Sequence, residues 1–150
     1  MAERWKGLSL KTEVSTVVNE NAEKMADIQR KQLMKGLGAD GQTLLAYKND
    51  PYFKSQKSAE AYSRWKKRLH PETPDGISNM NITGYYHGQI EVQANGTTIT
   101  IRNSAPFAAS AETKNRGKLL GLNKDSSVLA WRMVLRGPTI VKIKQLTGCG

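Results

Sequence analysis

Apolar positions recur at helical spacing from Glu13 to Lys35. Val14, Val17, Val18, Met25 and Ile28 share one face there, while Asn19, Glu20, Glu23, Lys24 and Asp27 cover the other. The pattern predicts one long amphipathic helix with Thr12 as its cap, stopped by Gly36. Gly38 and Gly41 keep the following stretch irregular, and Thr43 to Tyr47 reads as a short strand. After the Asn49-Asp50-Pro51 turn, Ser58 to Leu69 reads as a second helix, with Tyr62, Trp65 and Leu69 as its buried stripe. Arg64, Lys66, Lys67 and Arg68 then point elsewhere. His70-Pro71 ends that helix, because a residue before proline is biased out of the helical region. Pro71 to Gly76 is the strongest punctuation in the chain.

Period-two alternation replaces the helical pattern from Gln89 onwards. Gln89–Ala94 and Thr97–Arg102 flank Asn95-Gly96, the pair favoured in type I′ hairpin loops. That register sets Ala94 opposite Thr97, Val92 opposite Ile99 and Ile90 opposite Ile101, with the apolar residues on one face. Ser104 to Gly117 has no periodicity and reads as a long loop of the kind that is usually functional. Asn123 caps a third helix, Lys124 to about Leu135, with Asp125 in its first turn, where the helix dipole favours an acid. Val128, Leu129, Trp131 and Leu135 supply its apolar face, and Arg136-Gly137-Pro138 interrupts it. Thr139 to Leu146 fits an edge strand, through Val141 and Ile143 alternating with lysines. It also fits a helix with Pro138 at its start, the reading adopted here. The fold class expected is α+β: an antiparallel sheet built around the central hairpin, packed by the long N-terminal helix and one or two further helices.

Length changes the picture little: 150 residues fit a single domain, with ends at about 1–10 and 147–150 expected to be flexible. A chain of this size buries roughly 68–70% of the surface its unfolded form exposes. Apolar residues make up only 38%, so the core is thin or completed by neighbouring subunits. No apolar run is long enough to span a membrane, and the first residues lack the apolar segment of a signal peptide. The expectation is a soluble protein made in a cytoplasm, with no membrane partner. The lone Cys149 excludes an internal disulfide and a cysteine-based metal site. Net charge is +10, and residues 102–150 hold nine Lys/Arg against Glu112 and Asp125, which is +7 of that total. A basic third of this kind meets nucleic acid or an acidic protein neighbour.

Candidate chemistry is sparse. His70 and His87 have no cysteine or acidic cluster at ligand spacing and read as surface or packing residues. Asp40-Gly41 and Asp75-Gly76 are turn dipeptides, and the glycines of G-L-G-A-D-G do not sit between a strand and a helix as a phosphate loop requires. The reading is of a non-enzyme with no catalytic residue, cofactor or metal. In Arg64-Trp65-Lys66-Lys67-Arg68 the helical spacing buries Trp65. Arg64, Lys67 and Arg68 remain as a candidate basic surface for an acidic neighbour or, non-specifically, DNA.

The segment T-G-Y-Y-H-G, followed by the hairpin, the loop and L-L-G-L-N-K-D-S, resembles the tail-completion and virion-morphogenesis proteins of tailed bacteriophages. The matching pieces are Thr83-Gly84, the strands around Asn95-Gly96, and Gly121-Leu122-Asn123-Lys124-Asp125. Upstream, Q-R-K-Q-L-M-K-G-L-G-A-D-G-Q with Tyr47 after it is similar to a version in crAss-like phages, so the resemblance spans about residues 28–146. The chain departs from the pattern at Arg116-Gly117-Lys118, where such proteins often carry a Pro-Ala-Arg-Pro-like stretch. The resemblance implies a ring-forming structural subunit of the virion, at the neck or tail, that joins head to tail or completes the tail. Its implied partners are further copies of itself and other neck, portal or tail proteins, with packaged DNA close by. On this reading Ser104, Pro106, Phe107, Lys114 and Arg116 mark a loop that contacts a neighbouring subunit. The alternative is a basic DNA-binding accessory protein.

Overall fold

A computed structural model describes residues 10–147; the expected flexible ends, apart from Leu10 and Thr147, and Cys149 lie outside it. The fold is α+β. Helices α1 (Leu10–Glu20) and α2 (Ala22–Met34) pack on strand β1 (Ile90–Asn95), which pairs antiparallel with β2 (Thr98–Asn103). The predicted single helix is thus two. Asn21 breaks it at φ −115° and ψ 19°, while its side-chain Nδ2 donates to the Val17 carbonyl at 2.9 Å. A short polar side chain that bonds local backbone competes with the helical ladder. Thr12 lies inside α1 rather than capping it, and its carbonyl accepts the Ser15 and Thr16 hydroxyls.

Gly36 ends α2 as expected. At φ +69° it forms a Schellman cap, with Gly36 N–H on Leu33 O at 2.8 Å and Leu37 N–H on Gln32 O at 3.2 Å. The strand expected at Thr43–Tyr47 reduces to isolated bridges, Leu37 with Thr43 and Ala46 with Ile77, before a 3₁₀ turn at Tyr47–Asn49. Among the described residues no strand runs alongside it: Leu44 N–H goes to Gly36 O and Leu45 N–H to the Asn115 side chain.

Helix α3 (Gln56–Leu69) starts two residues early, because Ser55 and Ser58 form a capping box. Its inner face is also one residue away from the predicted stripe. Ala59 and Lys66 are buried and Tyr62 half-buried, whereas Trp65 and Leu69 are 40% and 50% exposed. Pro71–Gly76 is packed rather than free. Gly76 donates to Ser63 Oγ and accepts from Tyr47 N–H, and Thr73 is buried.

After a single turn, α4 (Tyr85–Gly88), the hairpin forms with its faces as predicted but its register shifted by two. Val92 pairs with Ile101 and Ala94 with Ile99, and the turn is Gly96-Thr97. Asn95 keeps a negative φ and ends β1, whereas Gly96 takes φ +58° at the first central position, the type II′ arrangement. A slip of two preserves the faces, because side chains alternate with period two. The outer edge of β1 is closed by Asn19, whose amide bonds both N–H and C=O of Ala94 at 2.8 and 3.0 Å.

The expected long loop Ser104–Gly117 contains helix α5 (Ala108–Lys114), anchored by buried Ala105, Ala108 and Ala111. Small residues leave no amphipathic signature, yet they let the helix lie close to the core. Asn123 caps α6 (Lys124–Ala130) as predicted, its side chain accepting from Ser126 N–H at 2.9 Å. Arg136-Gly137-Pro138 does not interrupt the helix. A π-helical stretch, Trp131–Leu135, leads directly into α7 (Arg136–Thr147), so the last segment is helical. A π turn loosens the ladder just where Pro138 lacks an N–H. Of the predicted apolar face only Leu135 is buried, joined by Ala130 and Val134, whereas Val128, Leu129 and Trp131 are exposed.

Candidate functional site

Two side-chain clamps position the motif Gly121, Leu122 and Asp125. Gln29 and Gln32, one turn apart on the inner face of α2, are 0% and 3% exposed. Gln29 donates to Leu119 O and accepts from Gly121 N–H, while Gln32 donates to Gly121 O and accepts from Asn123 N–H. Glu112 of α5 accepts the Leu119 and Leu120 N–H groups at 3.0 and 2.9 Å. The extended segment 119–123 is therefore held by side chains where a sheet would use a neighbouring strand. Leu122 is half-buried, and Asp125 sits exposed in the first turn of α6.

The main concavity is a cleft of about 640 Å³. All seven tyrosines and phenylalanines of the chain line it: Tyr47, Tyr52, Phe53, Tyr62, Tyr85, Tyr86 and Phe107. In one ring cluster Tyr47 meets Tyr62 edge-on at 5.0 Å between centroids, and Phe53 lies 5.1 Å from Tyr62. In a second, Phe107 lies 6.1 Å from Tyr85 and 6.0 Å from Tyr86.

Lys66 of α3 forms part of the wall and is 2% exposed. Its ammonium donates to Tyr47 Oη at 2.9 Å and Asn79 Oδ1 at 2.6 Å, and no carboxylate among the described residues pairs with it. Burial of this cation pulls its pKa down to about 8. Burial likewise pushes the Tyr47 and Tyr86 hydroxyls up, and lowers His87. The Nε2–H of His87 donates to the Asn79 carbonyl at 2.8 Å, so buried Asn79 links the lysine to the histidine. The next residue, Met80, lines the cleft at φ +56°, a strained value for a residue with a side chain. At the rim, Asp50 is paired with Lys114 at 3.0 Å, and the Lys114 ammonium stands 5.9 Å from the Tyr52 ring.

Three of the residues marked in the sequence meet at this cleft: Thr83, Phe107 and Lys114. Gly84, at φ +81°, starts the α4 turn beside them. Ser104 bonds Gln89, Pro106 is exposed, and Arg116 turns the chain after α5 at φ +57°. Arg64, Lys67 and Arg68 lie apart, on the outer side of α3 around Ala61. Two of these have acidic neighbours, Arg64 at 3.9 Å from Glu60 and Lys67 at 2.5 Å from Asp75. The sequence reading missed Lys66, hidden inside a basic run, and Asn79. The available signal was the crowding of Tyr47, Tyr52, Phe53 and Tyr62 into sixteen residues.

A second feature is the rod formed by α6, the π stretch and α7, 24 residues or about 36 Å long. It exposes Val128, Leu129, Trp131, Met133, Ile140 and Val141, with Met133 75% exposed. Arg132 and Arg136 are exposed on the same rod, and Asp125 is its only acid. No protein family matches the chain, and no curated protein or solved structure matches it either.

Proposed function

We propose that the chain is a structural subunit of a tailed-phage virion that forms a ring at the neck or tail, where head and tail join or the tail is completed. One observation carries the reading: the C-terminal rod presents six large apolar side chains to solvent on a continuous helix. Patches of that kind mark surfaces that another protein covers. The thin core, in which alanines fill several buried positions, accords with a subunit whose stability is completed by neighbours. The motif order around Thr83-Gly84, Gly96 and Gly121–Asp125 supports the same reading.

Light scattering on the purified chain, followed by electron microscopy of the chain and of virions, tests the proposal. The expected result is a discrete assembly several times the 16.6 kDa of one chain, lost in Met133→Glu. A monomer at all concentrations, absent from purified particles, overturns it. The second reading, a DNA-binding accessory protein, draws on the charge of +10. It is weakened by the pairing of Arg64 and Lys67, and binding of duplex DNA that falls steeply with salt would restore it.

A further inference from the structure

The aromatic cleft lies outside the C-terminal rod that carries the assembly reading, and its composition is hard to explain by packing alone. Every Tyr and Phe of the chain converges there, yet three of those rings stay open to solvent: Tyr52 at 74%, Tyr85 at 48% and Phe107 at 46% exposure. A core would have buried them. Its volume of about 640 Å³ falls in the range of small-molecule sites, roughly 300–1,000 Å³.

The charges are equally particular. The cleft is lined by Lys66, Lys114 and one acid, Asp50, and that acid is held by Lys114. Among the described residues Lys66 is left with two neutral oxygen partners for three N–H donors, and with no anion. A buried charge is normally paired, and leaving it unpaired is unfavourable. A carboxylate entering the cleft would accept the remaining N–H and supply the missing charge, while an attached ring would pack on the rings that line the cleft, Phe53 and Tyr62 in one cluster and Phe107 and Tyr85 in the other.

We propose that this cleft is a binding site for a small aromatic carboxylate, its ring held by the aromatic side chains that line the cleft and its carboxylate on the Lys66 ammonium. The cleft is lined within one chain, so a monomer would leave the proposal standing.

The test is titration of the full chain with 3-phenylpropionate and, separately, with its uncharged primary amide, followed by NMR. The expected result is tighter binding of the acid by about tenfold or more at about pH 7, since a charged hydrogen bond separates the two ligands. Shifts should concentrate on Lys66, Tyr62 and Phe107. The margin should shrink as pH rises through about 8, where Lys66 loses its proton. The groups facing Lys66 are Tyr47, Tyr62, Asn79 and His87, with Asp50 and Lys114 beyond them. The two tyrosines are pushed above that range and His87 below it, and Lys114→Gln separates the contribution of the rim pair. Lys66→Met should abolish the preference for the acid. Equal binding of acid and amide, binding of neither, or shifts centred on the C-terminal rod would overturn the proposal. If Lys66→Met fails to fold, the acid–amide comparison and its pH series in the native chain decide.

Discussion

Replacing Gln29 by Met tests whether side-chain amides hold the fold where strands do not. Gln29 is fully buried and makes two hydrogen bonds to the backbone of 119–123, at 2.9 Å to Leu119 O and 3.1 Å from Gly121 N–H. Methionine fills nearly the same volume and can make neither. Each buried group left without a partner costs about 1–3 kcal/mol. Part of that is offset by the more apolar side chain, so the net loss expected is about 2–4 kcal/mol. For a chain of this length 1 kcal/mol moves the melting temperature by roughly 2–4 °C, which gives a fall of about 4–16 °C. Calorimetry reads the fall, and hydrogen exchange locates it, because the Gly121 amide should lose protection before the amides of β1. Gln93→Met on the exposed face of β1 is the control, expected to stay within about 0.5 kcal/mol. A change below about 1 kcal/mol with Gly121 still protected would refute the clamp.

Two further predictions follow from single residues. Lys66 keeps its proton up to about pH 10.5 when unfolded but releases it near 8 in the folded chain, so between those values the unfolded state binds more protons. Stability from this group therefore rises with pH across that window, by about 3 kcal/mol, and urea titrations should find the rise missing in Lys66→Met. Gly36→Ala should lower stability by about 2 kcal/mol or more in thermal melts, because φ is +69° there and a Cβ would lie 2.9 Å from Ile77 Cγ2. An unchanged melting temperature would remove Gly36 as the determinant of the α2 stop.

Local signals were legible where one residue type has one physical reason to be there. Gly36 stops α2 and Asn123 caps α6, since a left-handed turn and an orphan N–H each demand a particular side chain. The hairpin was legible in its faces but not in its exact pairing: Asn95-Gly96 suits a type I′ loop, and the shift of two that moves the turn to Gly96-Thr97 leaves every apolar residue on its face. Helix α5 was invisible because alanines carry no amphipathic pattern, and the break at Asn21 was invisible because the apolar periodicity runs across it.

The sequence by itself determined the hairpin, most of the helical segments and the α+β class, because periodicity and turn chemistry act over a few neighbouring residues. Only the tertiary structure decided which faces α3 and the C-terminal rod bury. On α3 the rotation by one residue replaced Trp65 with Lys66, and on the C-terminal rod it left Trp131 and Met133 outside. Those choices rest on contacts between residues far apart in the chain, such as Lys66 with Asn79 and Gln29 with Leu119, to which a local pattern carries no information.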